Sequence, residues 1–403
     1  MRIRSITLFS RTALPVDPVA IAALGRTAQA VALAFTQAGY EVQTIRYATA
    51  IFPALAQLGR SHARIDEVVS LEAACQAAGF AFTSLGPAQP DMQSVIPDIL
   101  RATQSVFATS PIVRPDGITI DGNGIRGAAR VIQAASAIEA GFGNLRFAAT
   151  ANVSPGTPFF PAAFWDADTP ALAIATESAD LALAACRKGR DASEAHARLG
   201  AAISRHGARL DVVGRIACDE HTLKYLGIDF SLAPYPDDAI SIGGALEALT
   251  GHPLGAAGTL AAAATLTNAV QQAEFRHVGF CGLMLPVLED SVLARRAAEG
   301  RLQVNDLLQW SAVCGTGLDT VPLPGDSSIG ALSALLFDVA ALSVRLHKPL
   351  TARLMPLPGK VAGDRVHFDF PFLADGGVLS IGDGEAVSPL LRTPQLALHP
   401  HSR

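Results

Sequence analysis

The stretch Val313-Cys314-Gly315-Thr316-Gly317-Leu318-Asp319-Thr320-Val321-Pro322-Leu323-Pro324-Gly325-Asp326 sets a thiol, two carboxylates and three glycines between strongly apolar neighbours, and the helical segment 327–346 follows it directly. A loop of that composition serves binding or reaction more readily than packing. The same rhythm extends outward along the chain. Segments rich in β-branched and aromatic residues recur at 3–9, 41–47, 80–85, 146–151, 171–176, 210–217, 228–232 and 277–283, with alanine-rich helical segments between them, clearest at 19–38, 187–206, 259–274 and 327–346. This alternation predicts an α/β protein whose sheet is covered by helices, either open or closed into a barrel.

At 403 residues, half of them hydrophobic and 17% charged, the chain is long enough to bury a large core. A formal charge of -5 without any block of like charge offers no electrostatic footprint for nucleic acid or an anionic membrane, so neither is an expected partner. Cys75, Cys186, Cys218, Cys281 and Cys314 are odd in number and lack a CxxC pair, which argues against a disulfide framework or a structural zinc site and for the reducing cytoplasm. The amino terminus reads as a strand from the start, without a signal region. The apolar run 331–344, interrupted by Ser333, Asp338 and Ser343, reads as a buried helix too short to span a bilayer. Residues 1–387 are expected to form a single domain and 388–403, with scattered prolines, a loose tail.

Together with Ala151-Asn152-Val153-Ser154-Pro155-Gly156-Thr157-Pro158-Phe159-Phe160-Pro161 and Met284-Leu285-Pro286-Val287-Leu288-Glu289-Asp290, the opening stretch closely resembles a bacterial and archaeal family, the domain of unknown function family 711. The resemblance covers most of the chain. It implies a fold similar to the ten-stranded α/β barrel of the pyruvate formate-lyase type, with helices outside. Glycyl radical enzymes of similar fold pass a radical from a glycine near the carboxyl terminus to a loop cysteine, a place that Cys314 would take. Their Arg-Val-x-Gly-Tyr type segment is absent here, where Ala374-Asp375-Gly376-Gly377-Val378 and Ile381-Gly382-Asp383-Gly384 stand instead. Radical chemistry is therefore not expected.

Function in barrels and doubly wound sheets gathers where strands end. Asn152 follows the strand 147–151, Glu177 follows 172–176, Asp229 lies in Gly227-Ile228-Asp229-Phe230-Ser231, Cys281 ends Val278-Gly279-Phe280, and Cys314, Thr316 and Asp319 occupy the opening stretch. Asp319 has no helix start beside it and is the first choice for a functional carboxylate. Asp229 alternates with Ile228 and Phe230 and so points away from them, into solvent or a barrel lumen, where a carboxylate needs a cation, donors or a ligand. Glu177 is either a catalytic acid or a carboxylate in the first turn of the next helix. Glu289, Asp290 and Asp326 read as helix caps. Asp338, with apolar helical neighbours, either faces the site or is a satisfied core acid.

As a set, Glu177, Asp229 and Asp319 suit general acid–base hydrolysis, as at a glycosidic bond, or oxygen ligation of a divalent cation such as magnesium or calcium. Phe159, Phe160, Phe164 and Trp165 form a dense aromatic group in a chain only 6% aromatic. Most such rings pack in cores, and one or two at a pocket mouth would stack on a sugar or other flat face. Thr259, after the glycines of 251–258, begins a helix and offers backbone N–H groups to an anion or simply starts the helix. His221 and His277 lack metal-site spacing. Cys314 has no basic neighbour in sequence and reads equally well as an inert thiol. The expected function is hydrolysis of a small polar, carbohydrate-like substrate by a cytoplasmic enzyme, with a homodimer as the prior for assembly. The alternatives are a non-catalytic small-molecule binder or sensor, and a metal-dependent lyase or hydrolase.

Overall fold

The computed structural model describes residues 1–59, 61–382 and 388–400. Nine strands, β1 (Arg2–Phe9), β2 (Ile45–Ala48), β3 (Phe82–Pro87), β4 (Val106–Pro111), β5 (Phe147–Ala151), β6 (Ala171–Glu177), β7 (Lys224–Ala233), β8 (Gly317–Pro324) and β9 (Leu350–Leu357), form one sheet in the order β7-β6-β1-β2-β3-β4-β5-β9-β8. Strands β1 to β5 run parallel to one another. Strand β6 is antiparallel to β1 and parallel to β7, and β9 is antiparallel to β5 and parallel to β8. The chain is thus an α/β protein with a large, mostly parallel sheet made of two oppositely directed groups. Both outer strands also bridge to one intervening segment: Ile228 and Leu232 of β7 pair with His277 and Leu283, and Asp319 of β8 pairs with Pro286.

Strands covered on both faces need near-continuous apolar runs, and β9 is buried at every position. Helices lie against them by their apolar stripes. The helix Ile329–Leu346 buries Leu332, Leu335, Leu336, Val339 and Val344 and leaves Asp338 exposed, so Asp338 neither faces a site nor sits in the core. This helix is 18 residues long and apolar enough to cross a membrane by length and composition, but 61% of it is buried within the fold; Pro18–Gln37 meets the same criterion with 33% buried. The reading of 331–344 as too short therefore gives way to a longer helix that is nevertheless packed.

Several expected elements differ. The segment 210–217 is not a strand but part of the helix Ala192–Glu220. Its buried residues, Leu210, Asp211, Gly214, Ala217 and Cys218, follow helical spacing, and the β-branched Val212 and Ile216 that suggested a strand are 49% and 56% exposed. The helix expected over 187–206 is interrupted between Ala179–Lys188 and Ala192–Glu220, where Asp191 caps the second helix by accepting from Glu194 N. The stretch that opened the sequence reading is a strand from Gly317, not a loop. Residues 388–400 are held down rather than loose. Pro389–Arg392 forms a short helix, Gln395–Ala397 pairs with Thr119–Asp121, and Arg126 donates to the Leu391 carbonyl at 2.6 Å. Residues 401–403 of that tail, and Asp383 and Gly384 of the quoted glycine segment, lie outside the described residues.

Gly317 opens β8 at a φ of 99°, and a Cβ there would lie 2.5 Å from the Thr351 carbonyl oxygen. Neither the conformation nor the backbone contact admits a side chain. Gly317→Ala is expected to lower stability by about 2–3 kcal/mol, measured as a fall in the urea midpoint at unchanged slope; an unchanged midpoint would contradict the close approach.

Candidate active site

A charged side chain in an otherwise apolar strand must find a partner on folding. Arg4 of β1, Arg46 of β2, Asp229 of β7, Asp319 of β8 and Arg353 of β9 are such side chains, and with Glu289 they line one cavity of about 160 Å³. Irregular pairing directs two of them. Arg4 is the extra residue where β1 slips against β6 between Ile3 and Ser5. Asp319 and Thr320 together oppose Arg353 where β8 slips against β9, with Thr320 at a φ of 42°. Such bulges re-aim side chains that strict alternation would send elsewhere.

The charges form a chain. Arg353 Nε donates to Asp319 Oδ1 at 2.6 Å and its Nη2 to Glu289 Oε1 at 2.7 Å. Arg4 Nη2 donates to the other Glu289 oxygen, and Arg4 Nη1 to the Pro234 carbonyl at 3.1 Å. Asp319, Arg353 and Glu289 are 1%, 5% and 5% exposed. Burial pushes the Glu289 carboxyl up, but Arg4 and Arg353 outweigh it and hold the group below its ordinary 4.5. For Asp319 burial wins over Arg353, with Glu289 adding repulsion, and the carboxyl stands above its ordinary value.

Asp229 is built differently. Its oxygens accept from the Ser231 hydroxyl, from Cys281 N at 3.0 Å and from Phe280 N at 3.0 Å, and among the described residues its partners include no guanidinium. Burial raises its pKa against the pull of these donors. The backbone closes over the carboxylate because Gly279, at a φ of 73°, brings its Cα so near that a Cβ would lie 2.3 Å from Asp229 Oδ2. Aromatic rings, among them Phe82, Phe107, Phe159, Phe160, Phe370 and Phe372, supply most of the remaining wall.

Of the residues expected from sequence, Asp229, Asp319, Phe159 and Phe160 meet in this cavity. The others do not line it. Glu177, at the end of β6, accepts from Arg2 Nε at 2.7 Å, and burial raises its carboxyl against the pull of Arg4 and Arg2. Trp165 packs on Phe9 at 5.8 Å and donates to the Thr169 carbonyl at 3.0 Å, a core role. Cys281 contributes its backbone N–H to Asp229. Its thiol, raised by burial, donates to the Val278 and Ile228 carbonyls at 3.2 and 3.4 Å. Cys314 is buried and accepts from Gly317 N at 3.3 Å. The Thr316 carbonyl receives Thr351 N at 2.6 Å, and Thr259, the first residue of its helix, donates its hydroxyl to the Ala256 carbonyl of the preceding turn at 2.9 Å. Asn152, at a φ of 55°, donates to Ser343 Oγ at 3.0 Å and lines a separate cleft of about 890 Å³ beyond the ends of β3, β4 and β5.

Glu289 was expected to be a cap and instead enters the cavity, because its neighbour Asp290 takes the capping role, accepting from Val292 N and Leu293 N at 2.9 Å each. Asp326 is exposed, and Ser328 caps the following helix through Ala331 N. Among the described residues, no three His, Cys, Asp or Glu side chains converge closely enough to hold a metal ion. Glu177, Asp229 and Asp319, the suggested oxygen ligands, each have separate partners. Sequence reasoning missed Arg4, Arg46 and Arg353. Their signal was an arginine set among apolar residues within each of the strands β1, β2 and β9.

A family model described as Uncharacterised ACR (DUF711) matches residues 1–372, a span that holds every charged residue of the cavity. The chain belongs to the DUF711 family. It is 30% identical over 395 residues to a UPF0210 protein of Pyrobaculum islandicum, covering 90% of this chain and 86% of that one. A UPF0210 protein of Pyrobaculum aerophilum is 36% identical over 230 residues, 54% of this chain, and the match spans about half (51%) of that relative's length. A UPF0210 protein of Lacticaseibacillus paracasei is 29% identical over 328 residues, 78% of this chain and 72% of its own. The DUF711 match thus takes in both ends of the ion-pair chain, Arg4 and Arg353.

Arg353→Met leaves Asp319 and Glu289 buried without their shared partner and is expected to cost about 3–5 kcal/mol of stability, read by chemical denaturation. Glu289 titrates below its ordinary 4.5, so its contribution is present above that value and disappears as pH falls through the depressed one. The stability gap between the wild type and Glu289→Gln should accordingly close on acidification. A gap constant through an acid pH series would be inconsistent with the ion pairs.

Proposed function

We propose that the chain is an enzyme that uses Asp229 as general acid or base on a small molecule bound in the Arg46–Asp229–Arg353 cavity. The observation that carries this reading is the difference between the cavity's acids. Glu289 and Asp319 are held by guanidiniums, whereas Asp229 is held by a hydroxyl and two backbone N–H groups and has its pKa raised by burial. A carboxyl raised toward the working pH both gives and takes a proton efficiently. Hydrolysis is the reaction class we favour: Asp229 protonates the leaving atom or accepts a proton from attacking water, and the guanidiniums face the negative charge that develops. A cavity of about 160 Å³ suits one small ring or its equivalent, so the proposed substrate is smaller than an oligosaccharide.

The proposal includes a closed barrel of the pyruvate formate-lyase type with this cavity in its lumen. Two oppositely directed parallel groups of strands, with outer strands β7 and β8 both bridging to 277–286, support a tenth, irregular staple that closes the ring. A second reading, a non-catalytic binder or sensor, is favoured by the pairing of Glu289 and Asp319 with Arg353, which commits two of the cavity's three carboxylates to holding its walls.

Asp229→Asn should lower turnover of whichever chromogenic ester, phosphoester or glycoside the wild type hydrolyses by about 10²–10⁴ while its circular dichroism melt stays cooperative. Equal turnover in the variant would remove Asp229 from the chemistry, and ligand-induced stabilisation without product would favour the sensor.

A further inference from the structure

Arg46 differs from the two other arginines of the cavity. Arg4 and Arg353 are each in ion pairs with buried carboxylates, but among the described residues no carboxylate lies within ion-pair distance of Arg46. Its recorded polar contact is Nε to Thr44 Oγ1 at 2.9 Å. Its guanidinium carbon lies 5.4 Å from the centre of the Phe82 ring and 5.2 Å from that of Phe160, and all three side chains line the cavity. Two rings offset part of the cost of removing a cation from water; they do not replace a counter-ion. Burial, and after it the like charge of Arg4, push the guanidinium down to about 9. Arginine resists deprotonation and keeps a planar fork of donors, so an incoming anion is what relieves this position.

The charge count of the cavity points the same way. Three guanidiniums face Glu289 and Asp319, and burial drives Asp229 toward its neutral form. The rest of the wall is largely aromatic. The volume of about 160 Å³ compares with engineered apolar cavities on the order of 150 Å³ that accept a benzene ring.

We infer that Arg46 is the recognition point for the anionic group, a carboxylate or phosphate, of a ligand whose body is a single small apolar or aromatic ring. This rests on the proposed function in taking the same cavity as the substrate site, and it names the substrate class. The anion engages the Arg46 fork, the ring lies among Phe82, Phe107, Phe159 and Phe160, and Asp229 borders the same space. The charge makes the discrimination: a neutral isostere leaves the half-buried guanidinium unmatched.

The test is isothermal titration of the full chain with benzoate, phenyl phosphate and, as the neutral isostere, benzamide. At least one anion should bind, benzamide should bind roughly tenfold or more weakly, and Arg46→Met should remove that preference by weakening the anion to a similar extent. Arg46→Lys keeps the charge without the fork and should fall between. If Arg46→Met fails to fold by circular dichroism, the lysine variant and the benzamide contrast still decide. A preference for benzoate identifies a carboxylate source, and one for phenyl phosphate a phosphate source. Failure of both anions to bind, benzamide binding as tightly as they do, or anion binding undiminished in both Arg46 variants would overturn the inference. Asp229→Asn separates it from the catalytic reading. Arg46-dependent binding with turnover surviving in Asp229→Asn would sink the chemistry alone, and turnover lost in that variant with Arg46-independent binding would sink the anion site alone.

Discussion

Arg353 is the group on which the interior arrangement depends. Its guanidinium reaches across from β9 to Asp319 on β8 and to Glu289, and through Glu289 to Arg4 on β1. The strand ladder by itself joins β8 to the 277–286 segment only through an isolated bridge, so side-chain charges carry the connection that backbone pairing leaves sparse. A buried ion pair adds little net stability, because desolvation largely cancels attraction. What it adds is register. A slip of one residue in β8 or β9 would leave a charge buried without a partner, so the bulge at Asp319 and Thr320 and the slip at Arg4 are fixed by the pairs they serve.

Much of the fold was legible from local pattern. Strand-rich runs alternating with alanine-rich helices indicated an α/β sheet, and most of the strands and the longest apolar helix lie where those runs are. The failure at 210–217 has a local cause: Val212 and Ile216 sit on the exposed face of a helix, where β-branched residues imitate a strand without forming one. Asp229 was readable because residues 227–229 keep an unbroken register between two slips of β7 against β6, so alternation sends it opposite Ile228. Asp319, singled out as a functional carboxylate, lines the cavity but was placed in a loop, since its glycines and prolines mask a buried strand.

The arginines were not readable by the same means. Arg353 and Asp319 are 34 positions apart, and Arg4 and Glu289 are 285 apart. Their pairing depends on strand order and on two bulges, and neither is encoded in local periodicity. Glu289 shows the consequence most clearly: beside a helix start it carries the signature of a cap, and only the partnership of Asp290 with that helix frees it for the cavity.

The cavity's polar groups therefore fall into two sets with different physical status. Asp319, Arg353, Glu289 and Arg4 satisfy one another and hold the walls in place. Among the described residues, Asp229 and Arg46 are held by hydroxyls, backbone N–H groups and aromatic rings, none of which neutralises a charge. An apolar side chain at either position would avoid the desolvation cost and pack against rings already present, so neither group is explained by stability. A carboxyl whose pKa burial raises and a guanidinium with no ion-pair partner among the described residues are the two groups that the proposed anionic, proton-exchanging ligand would engage. The enclosing aromatic wall strengthens both interactions by excluding water. The same low-dielectric setting that makes these two groups costly is what would make them selective for a ligand.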